Sequence, residues 1–205
     1  MKYFNMDLLI KIINLTIQRN NRNILDNISL DIHTKSFLNI YGANGSGKTS
    51  FLKVITGISE IESGEIVNNS NNQVYVGHKY GLKNNLTVSE NLMFDLQNNN
   101  IDKTHKLSEA LEIYKMSKFK DTLVKHLSHG QQKRVSLMRT ILLDSDFWVL
   151  DEPFSALDDE TKRILNETFV EAIKHNKTII VTSHNTFKHD LIKVQNYVLK
   201  DGRIQ

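Results

Sequence analysis

The sequence predicts an α/β fold in which helices cover a mainly parallel sheet, and three observations support this. Short apolar segments alternate with amphipathic segments of helical period in the second half of the chain, an order that favours parallel strands joined by crossover helices. A glycine-rich loop connects one strand-like segment to a helix-like one. The N-terminal region instead has two strand-like segments joined by a polar turn, which predicts an antiparallel β unit.

The first half of the chain is assigned from its apolar runs and their boundaries. The expected strands are 8–17, 24–32, 36–41 and 74–76. The polar segment 18–23 is the expected turn between the first two. A helix at 48–56 follows the glycine-rich loop and stops at Gly57, a residue type favoured just after helix ends. The asparagine clusters 68–72 and 98–100 are interpreted as surface loops.

The segment from about 84 to 140 is expected to stand apart as a helical lobe. Thr87 and Glu90 match a capping box, in which each side chain bonds the other residue's backbone N–H group. Apolar residues then recur at helical spacing. The expected helices are 87–97, 104–114 and 131–143.

The last part of the chain returns to alternation. The expected strands are 147–150 and 178–182, the helix between them is 159–174, and 197–202 forms a closing hairpin. A chain of 205 residues is long enough for a real core and is interpreted as a single domain, 1–205.

Composition excludes several classes of protein. Hydrophobic residues make up 40% and charged residues 24%, as in ordinary globular domains. No cysteine is present, which excludes disulfides and thiolate chemistry. No apolar run approaches the roughly 20 residues of a membrane helix, and Asp7 and Lys11 interrupt the early apolar stretch, so no secretory signal is expected. The net charge of +3 is scattered, so no nucleic-acid partner is expected.

The glycine-rich loop carries the first motif with chemical meaning. It matches G-x-x-x-x-G-K-[ST] and, with the next residue, comprises Gly42, Ala43, Asn44, Gly45, Ser46, Gly47, Lys48, Thr49 and Ser50. It lies between a predicted strand and a predicted helix, the context that a phosphate-binding loop requires. Its backbone N–H groups would face phosphate oxygens. Lys48 would lie between the β- and γ-phosphates, and Thr49 would bind Mg²⁺.

Two acidic residues follow the apolar strand at 147–150. Asp151 is placed at the carboxyl end of this strand, where it can hold Mg²⁺ directly or through water. Glu152 is placed to orient and deprotonate an attacking water. Such a pair is weak evidence alone, but its position after a phosphate-binding loop favours the catalytic interpretation.

A third motif precedes the predicted helix 131–143. Its central residues are Ser128, His129, Gly130 and Gln131. Ser128 can cap the helix and also offer a hydroxyl to a phosphate, and the helix N-terminus favours an anion. Gly130 allows close approach of the backbone.

Taken in order, these motifs resemble those of the ATP-binding cassette (ABC) ATPases. The order is the phosphate-binding loop, Leu-Ser-x-Gly-Gln, Asp-Glu, Ser-Ala-Leu-Asp at 155–158, and His184 at the end of a strand. The Leu-Ser-x-Gly-Gln signature distinguishes this family from other P-loop proteins, and the resemblance spans essentially the whole chain. It implies a P-loop NTPase (RecA-like) parallel sheet core, an N-terminal antiparallel β subdomain and a helical signature subdomain, with ATP and Mg²⁺ as ligands.

The same resemblance implies roles for individual residues and for partners. Two copies of the chain would enclose two ATP molecules, and the signature residues of each copy would face the γ-phosphate held by the other. His184 would contact this phosphate and the catalytic water, and would complete the catalytic set with Glu152 and Lys48. Asp158 would lie in the loop that links the two sites. Integral membrane subunits are the other implied partners.

A finer resemblance concerns the segments 77–83 and 86–92. They are similar to those of the ATPase subunits of cytochrome c maturation haem exporters, with the discriminating weight on Gly77-His78 and 81–83. This implies haem-handling proteins as indirect partners. It also implies a peripheral location on the cytoplasmic face of the bacterial inner membrane, or on the matrix face of the mitochondrial inner membrane.

Three departures and three alternatives remain open at this stage. His129 is bulkier than the glycine or alanine that is usual at the centre of the signature. His78 stands where most ABC ATPases have a glutamine that contacts Mg²⁺, and imidazole suits this ion less well than oxygen. No aromatic residue is found near 19–20, where many members stack the adenine. The alternatives are the ATPase subunit of a different ABC exporter, a soluble ABC-type ATPase without a transport role, and an inactive nucleotide-binding regulator.

Overall fold

The computed structural model describes residues 7–96 and 103–205, which contain nine strands and five α-helices. The strands are β1 (Leu8–Arg19), β2 (Arg22–His33), β3 (Phe37–Tyr41), β4 (Ser63–Asn68), β5 (Gln73–Val76), β6 (Phe147–Leu150), β7 (Thr178–Ser183), β8 (Val194–Lys200) and β9 (Arg203–Ile204). The helices are α1 (Lys48–Ile55), α2 (Val88–Leu96), α3 (Lys103–Ile113), α4 (His129–Leu142) and α5 (Asp159–Lys174). Two short 3₁₀ turns precede α4.

The strands form two sheets. The first has the order β2-β1-β4 and is antiparallel. The second has the order β5-β6-β7-β3-β8-β9, and its first five strands are parallel. Only the terminal β8–β9 hairpin of this sheet is antiparallel. The glycine-rich loop follows β3 and the two acidic residues follow β6, on either side of β7. Both therefore lie at the carboxyl ends of parallel strands, where ligands bind in open α/β sheets.

The parallel sheet is apolar on both faces, and each face has its own core. All four residues of β6 are buried, as expected for a strand covered on both sides. Trp148 and Leu150 pack in the core beneath the helices α2 to α5. Phe147 and Val149 point the other way, into the core shared with α1 and the antiparallel sheet. Helices α2 to α5 thus cover one face of the central strands, and α1 with the antiparallel sheet covers the other.

The antiparallel sheet differs from prediction at two points. The turn at 18–23 is only two residues long, because Asn20 and Asn21 both adopt positive φ, the backbone of a tight hairpin turn that asparagine tolerates. Strand β4 was not predicted, and Asn68, assigned to a loop, is its last residue. This strand is almost entirely exposed and lies at the sheet edge, so it lacks the apolar alternation by which strands are recognised. The predicted loop at 98–100 lies outside the described residues.

The helix boundaries follow local capping chemistry. The capping box before α2 is confirmed, since the backbone N–H and hydroxyl of Thr87 donate to Glu90 and the Glu90 N–H donates back. Helix α4 begins two residues earlier than predicted, because Ser128 acts as its N-cap. No helix in the described ranges is long and apolar enough to cross a bilayer.

The segment between β5 and α2 is tied to the helices by two polar side chains. Buried Asn91 accepts a bond from the Lys83 N–H at 2.7 Å and donates to the carbonyls of residues 83, 86 and 87. Arg139 on α4 donates to the carbonyls of Tyr80 and Gly81 and pairs with Asp95 at 2.7 Å. These bonds fix residues 80–87 to α2 and α4.

Candidate functional site

The glycine-rich loop connects β3 to α1, as predicted. Gly47 has a φ of +105° at the N-cap of α1, a conformation that glycine adopts without strain. A Cβ atom on Gly42 would lie 2.3 Å from the Leu199 carbonyl oxygen on β8, so only glycine fits there. The loop and residues 198–202 line a cavity of about 490 Å³.

Lys48 is the first residue of α1, and its side chain is buried inside the loop. Its ammonium donates to the carbonyls of Gly42 at 2.8 Å and Ala43 at 3.1 Å. It also lies 3.6 Å from a carboxylate oxygen of Glu152. The lysine is thus held between the loop backbone and the end of β6.

Asp151 follows β6 and is held by hydrogen bonds on every side. Its two carboxylate oxygens accept hydroxyl groups at 2.7 Å, one from Thr49 and the other from Thr182. Its backbone N–H donates to the carbonyl of Val76 on β5. The carboxylate is therefore fixed beside the first turn of α1.

Glu152 has an unusual backbone conformation. Its φ is +46°, a region that residues with a side chain rarely occupy. Its backbone N–H donates to the Thr182 hydroxyl at 2.8 Å, and its carboxylate lies between Lys48 and His184, with 3.4 Å to the latter's Nε2 atom. A cavity of about 320 Å³ opens between Glu152 and His184.

Helix α4 also contacts Asp151, through the backbone of this residue. Lys133 on α4 is buried, and its ammonium donates to the Asp151 carbonyl at 3.3 Å. Burial lowers the pKa of Lys133 to about 8, although the negative charges of Asp151 and Glu152 act in the other direction and raise it. Burial, with the Asp151 charge as a smaller cause, raises the pKa of nearby Tyr75 to about 12. Water is thus largely excluded behind the two acidic residues.

Four aromatic rings pack beneath Glu152 and His184. Phe187, three residues after His184, stacks on Phe154 and Phe37 with centroid separations of 5.3 and 5.4 Å. Phe169 on α5 meets Phe154 and Phe37 edge to face. The loop after β6 and the loop after β7 therefore pack against the same aromatic cluster.

The signature residues form the start of α4. The Ser128 hydroxyl accepts the Gln131 N–H, and the Gln131 side chain accepts the Ser128 N–H, which is a complete capping box. A Cβ atom on Gly130 would lie 3.3 Å from the Ala156 carbonyl oxygen. The His129 ring is in edge contact with Tyr80, at 6.3 Å between centroids.

These residues line a cavity separate from that of the glycine-rich loop. It has a volume of about 470 Å³ and is lined by Ser128, Gly130, Gln131, Arg134, Asp158 and Thr161, among others. Arg134 pairs with Asp158 at 2.5 Å. Hydrogen bonds from Thr161, and then the Arg134 charge, hold the pKa of Asp158 below its ordinary value. The described part of the chain thus has two cavities that share no lining residue.

The structure brings together most, but not all, of the residues singled out from sequence. Lys48, Thr49, Asp151, Glu152 and His184 converge at the ends of β3, β6 and β7. His78 follows β5 and is exposed, and within the described ranges no hydrogen bond or ion pair joins it to this group, so its contact with a metal stays a prediction.

Sequence reasoning assigned no role to Thr182 or to Lys133. Each is a polar residue at a largely apolar position, and its partners are distant in sequence. The sequence contains one weak signal: Thr182 directly follows the apolar strand residues 179–181, at a position where another apolar residue could have continued the strand.

The donor set beside α1 fits Mg²⁺. The Thr49 hydroxyl and the Asp151 carboxylate are neighbouring hard oxygen ligands, the type this ion prefers, and Mg²⁺ with a nucleotide needs only one or two protein ligands. A cluster of three or more acidic or histidine side chains, which a metal held by protein alone would use, is not found among the described residues.

Comparison with known proteins decides the family. The family model described as ABC transporter matches residues 25–155, more than half of the chain. This chain belongs to the ABC transporter family. The expected family is confirmed, and the protein is an ATP-binding, ATP-hydrolysing subunit of the ABC type.

Its curated relatives carry a more specific name. The cytochrome c biogenesis ATP-binding export protein CcmA of Colwellia psychrerythraea is 33% identical over 94% of this chain and 90% of the relative. The protein of the same name from Shewanella oneidensis is 34% identical over 98% of this chain and 94% of the relative.

Solved structures confirm the predicted ABC ATPase fold. An ATP-binding subunit of an ABC transporter has a TM-score of 0.85 at 20% identity, over 96% of this chain and 88% of the other. An ATP-binding cassette in a dimeric post-hydrolysis state with ADP and Pi has a TM-score of 0.83 at 23% identity, over 96% and 97% of the two chains.

Proposed function

We propose that two copies of this ABC ATPase enclose two ATP molecules, and that hydrolysis drives the haem-delivery step of cytochrome c maturation. The separation of two cavities carries the proposal. The glycine-rich loop lines one cavity of the chain, and Ser128, Gly130 and Gln131 line another, which supports a site in which a second copy supplies these three residues to each nucleotide. The CcmA relatives support the choice of transport step.

The geometry supports a division of labour in hydrolysis. Glu152 is placed to align the attacking water and accept its proton, with His184 beside it. Lys48 exchanges its contacts with the loop carbonyls for contacts with the phosphates, and so stabilises charge on the transferred γ-phosphoryl group. The partner's signature adds the Ser128 hydroxyl and the N-terminus of α4, which favours an anion. His129, Gly130 and Gln131 complete this surface.

Thr49 and Asp151 are the proposed ligands of Mg²⁺. When bound there, the ion would neutralise charge on the β- and γ-phosphates. The backbone of residues 42–50 would hold the phosphates themselves.

Membrane subunits are the proposed partners of the helical lobe at about 84–140. Residues 80–87, at the start of this lobe, are fixed to α2 and α4 and so would move with them. Phe94 on α2 is 49% exposed, and the Lys83 ammonium lies 3.4 Å from the centre of its ring. A location on the cytoplasmic face of the bacterial inner membrane, or the mitochondrial matrix face, follows from this proposal, and haem-handling proteins are indirect partners.

Two measurements test the proposal together. Glu152→Gln should lower the rate of phosphate release from Mg-ATP by about 100-fold or more, while Glu171→Gln, an exposed glutamate on α5, keeps it. The wild-type gene should restore holocytochrome c to a bacterial strain that lacks its own CcmA, and the Glu152→Gln gene should not. Hydrolysis at the normal rate by Glu152→Gln contradicts the assigned chemistry. An active ATPase that restores no cytochrome c favours a different ABC exporter.

A further inference from the structure

We infer that Thr182, at the end of β7, is a positioning residue for ATP hydrolysis. Its single hydroxyl group orients both acidic residues that follow β6. The inference rests on the proposed function, since it assumes that Asp151 and Glu152 serve hydrolysis.

The position of Thr182 follows from the pairing of β6 with β7. Leu150, the last residue of β6, lies opposite Val181 in the parallel register. Thr182 is therefore one step beyond the paired segment, beside the turn in which β6 ends. Its side chain is 1% exposed, so the hydroxyl makes its bonds in a site without bulk water.

The directions of the two hydrogen bonds are unambiguous. An ionised carboxylate can only accept and a backbone N–H can only donate. The Thr182 hydroxyl therefore donates its one proton to Asp151 at 2.7 Å and accepts the Glu152 N–H at 2.8 Å. Serine would offer the same proton and lone pairs, whereas valine, which has nearly the same shape, would offer neither.

The bond from Glu152 holds a conformation that a glutamate rarely adopts. With a φ of +46°, this residue needs surrounding contacts to stay in the left-handed region. The same backbone conformation directs its carboxylate between Lys48 and His184. Loss of the Thr182 hydroxyl would release the backbone and, with it, the orientation of the carboxylate.

The bond to Asp151 fixes the second acidic residue at the same time. With one carboxylate oxygen held by Thr182, the other is turned toward the Thr49 hydroxyl. One hydroxyl thus sets the relative placement of the residue that aligns water and the residue that faces the metal site. The loop 42–50, which holds the phosphates, makes no bond to Thr182 in the described structure, so ATP affinity should depend little on it.

The chain offers a matched control on the same strand. Thr178 is also buried on β7, and its hydroxyl accepts the Lys35 N–H at 3.0 Å. It lies four residues before Thr182, or about 13 Å along an extended strand. Thr178→Val therefore reports what the loss of a buried threonine hydroxyl on β7 does away from the site.

The kinetic test compares three variants. Thr182→Val should lower kcat by about 10- to 100-fold, with the KM for ATP within about twofold of wild type, since an effect on kcat alone marks an interaction made in the transition state. Thr182→Ser should recover most of the lost rate, and Thr178→Val should retain its activity. The inference is overturned if Thr182→Val keeps kcat within twofold, or if folded Thr182→Ser is as slow as Thr182→Val.

A second readout does not depend on turnover. Hydrogen exchange at the Glu152 amide should be slow in the wild type and in Thr182→Ser, and much faster in Thr182→Val. If Thr182→Val does not fold, Thr182→Ala takes its place in both measurements. Equal exchange in all variants overturns the inference. A wild-type chain without ATPase activity would instead refute the proposed function, and the exchange result would still decide whether Thr182 holds Glu152.

Discussion

Replacement of Asn91 by leucine should destabilise the protein because this one side chain makes four hydrogen bonds to backbone groups. The asparagine is 3% exposed. Its carbonyl accepts the Lys83 N–H, and its amide donates to the carbonyls of Lys83, Leu86 and Thr87. Leucine has a similar size but no polar atom. The three carbonyls would keep the backbone N–H groups of residues 86, 124 and 91 as partners, whereas the Lys83 N–H would lose its hydrogen bond without gaining space for water.

The magnitude follows from the one backbone group left without a partner, the Lys83 N–H. A buried N–H or carbonyl that loses its only partner costs about 1–3 kcal/mol. The 2.7 Å bond to the Lys83 N–H is the shortest of the four, and the three carbonyls share two amide hydrogens. We therefore expect Asn91→Leu to lower the free energy of unfolding by about 1–3 kcal/mol.

Urea unfolding followed by circular dichroism measures this loss. Asn23→Leu is the control, because Asn23 is exposed and, among the residues that the structure describes, its side chain bonds the side chains of Gln18 and Asp26 and no backbone group. Such surface substitutions change stability by about 0.5 kcal/mol or less. A loss of less than about 1 kcal/mol in Asn91→Leu would refute the reasoning. An equal loss in both variants would show that the buried backbone contacts of Asn91 are not the cause.

Three further predictions concern the core, acid stability and the aromatic cluster. Phe169→Ala should lower the free energy of unfolding by about 3–5 kcal/mol; a loss in urea titration below about 1.5 kcal/mol would contradict its core role. Hydrogen bonds from Thr87 hold the pKa of Glu90 below its ordinary 4.5. Glu90→Gln should therefore be less stable than wild type at pH 7 and equal to it below the lowered pKa. A difference in unfolding free energy that does not narrow on acidification would contradict this. Phe187→Ala should slow phosphate release about tenfold, because the loop that carries His184 would lose its packing against Phe154 and Phe37. An unchanged kcat would show that this packing does not position His184.

The parallel core was predictable because its signals are local. Each residue of β6 is buried, and a continuous apolar run records that directly. The phosphate-binding loop, the capping box at Thr87 and the cap at Ser128 each depend on residues within a few positions of one another. Strand β4 lacks such a signal, because most of its residues are exposed and it pairs with β1 as the edge strand of the described sheet.

The polar network behind the acidic residues was not predictable for the opposite reason. Thr182 is 31 positions from Asp151, and Lys133 is 18 positions away. Neither spacing repeats a helical or strand period, and a threonine at the end of a strand is ordinarily a solvent-facing residue. The roles of Thr182 and Lys133 depend on the register of β6 with β7 and on the position of α4. Only the folded structure defines these.

The most direct test of the account is the molecular mass of Glu152→Gln in Mg-ATP, measured by light scattering. If each copy supplies the signature to the other, the slowed variant should have twice the 23.6 kDa mass of one chain. Removal of ATP, or a second substitution Ser128→Arg, should return it to the single-chain mass. A variant that binds ATP yet stays a single chain under saturating nucleotide, also in the presence of its membrane subunits, would contradict the shared site.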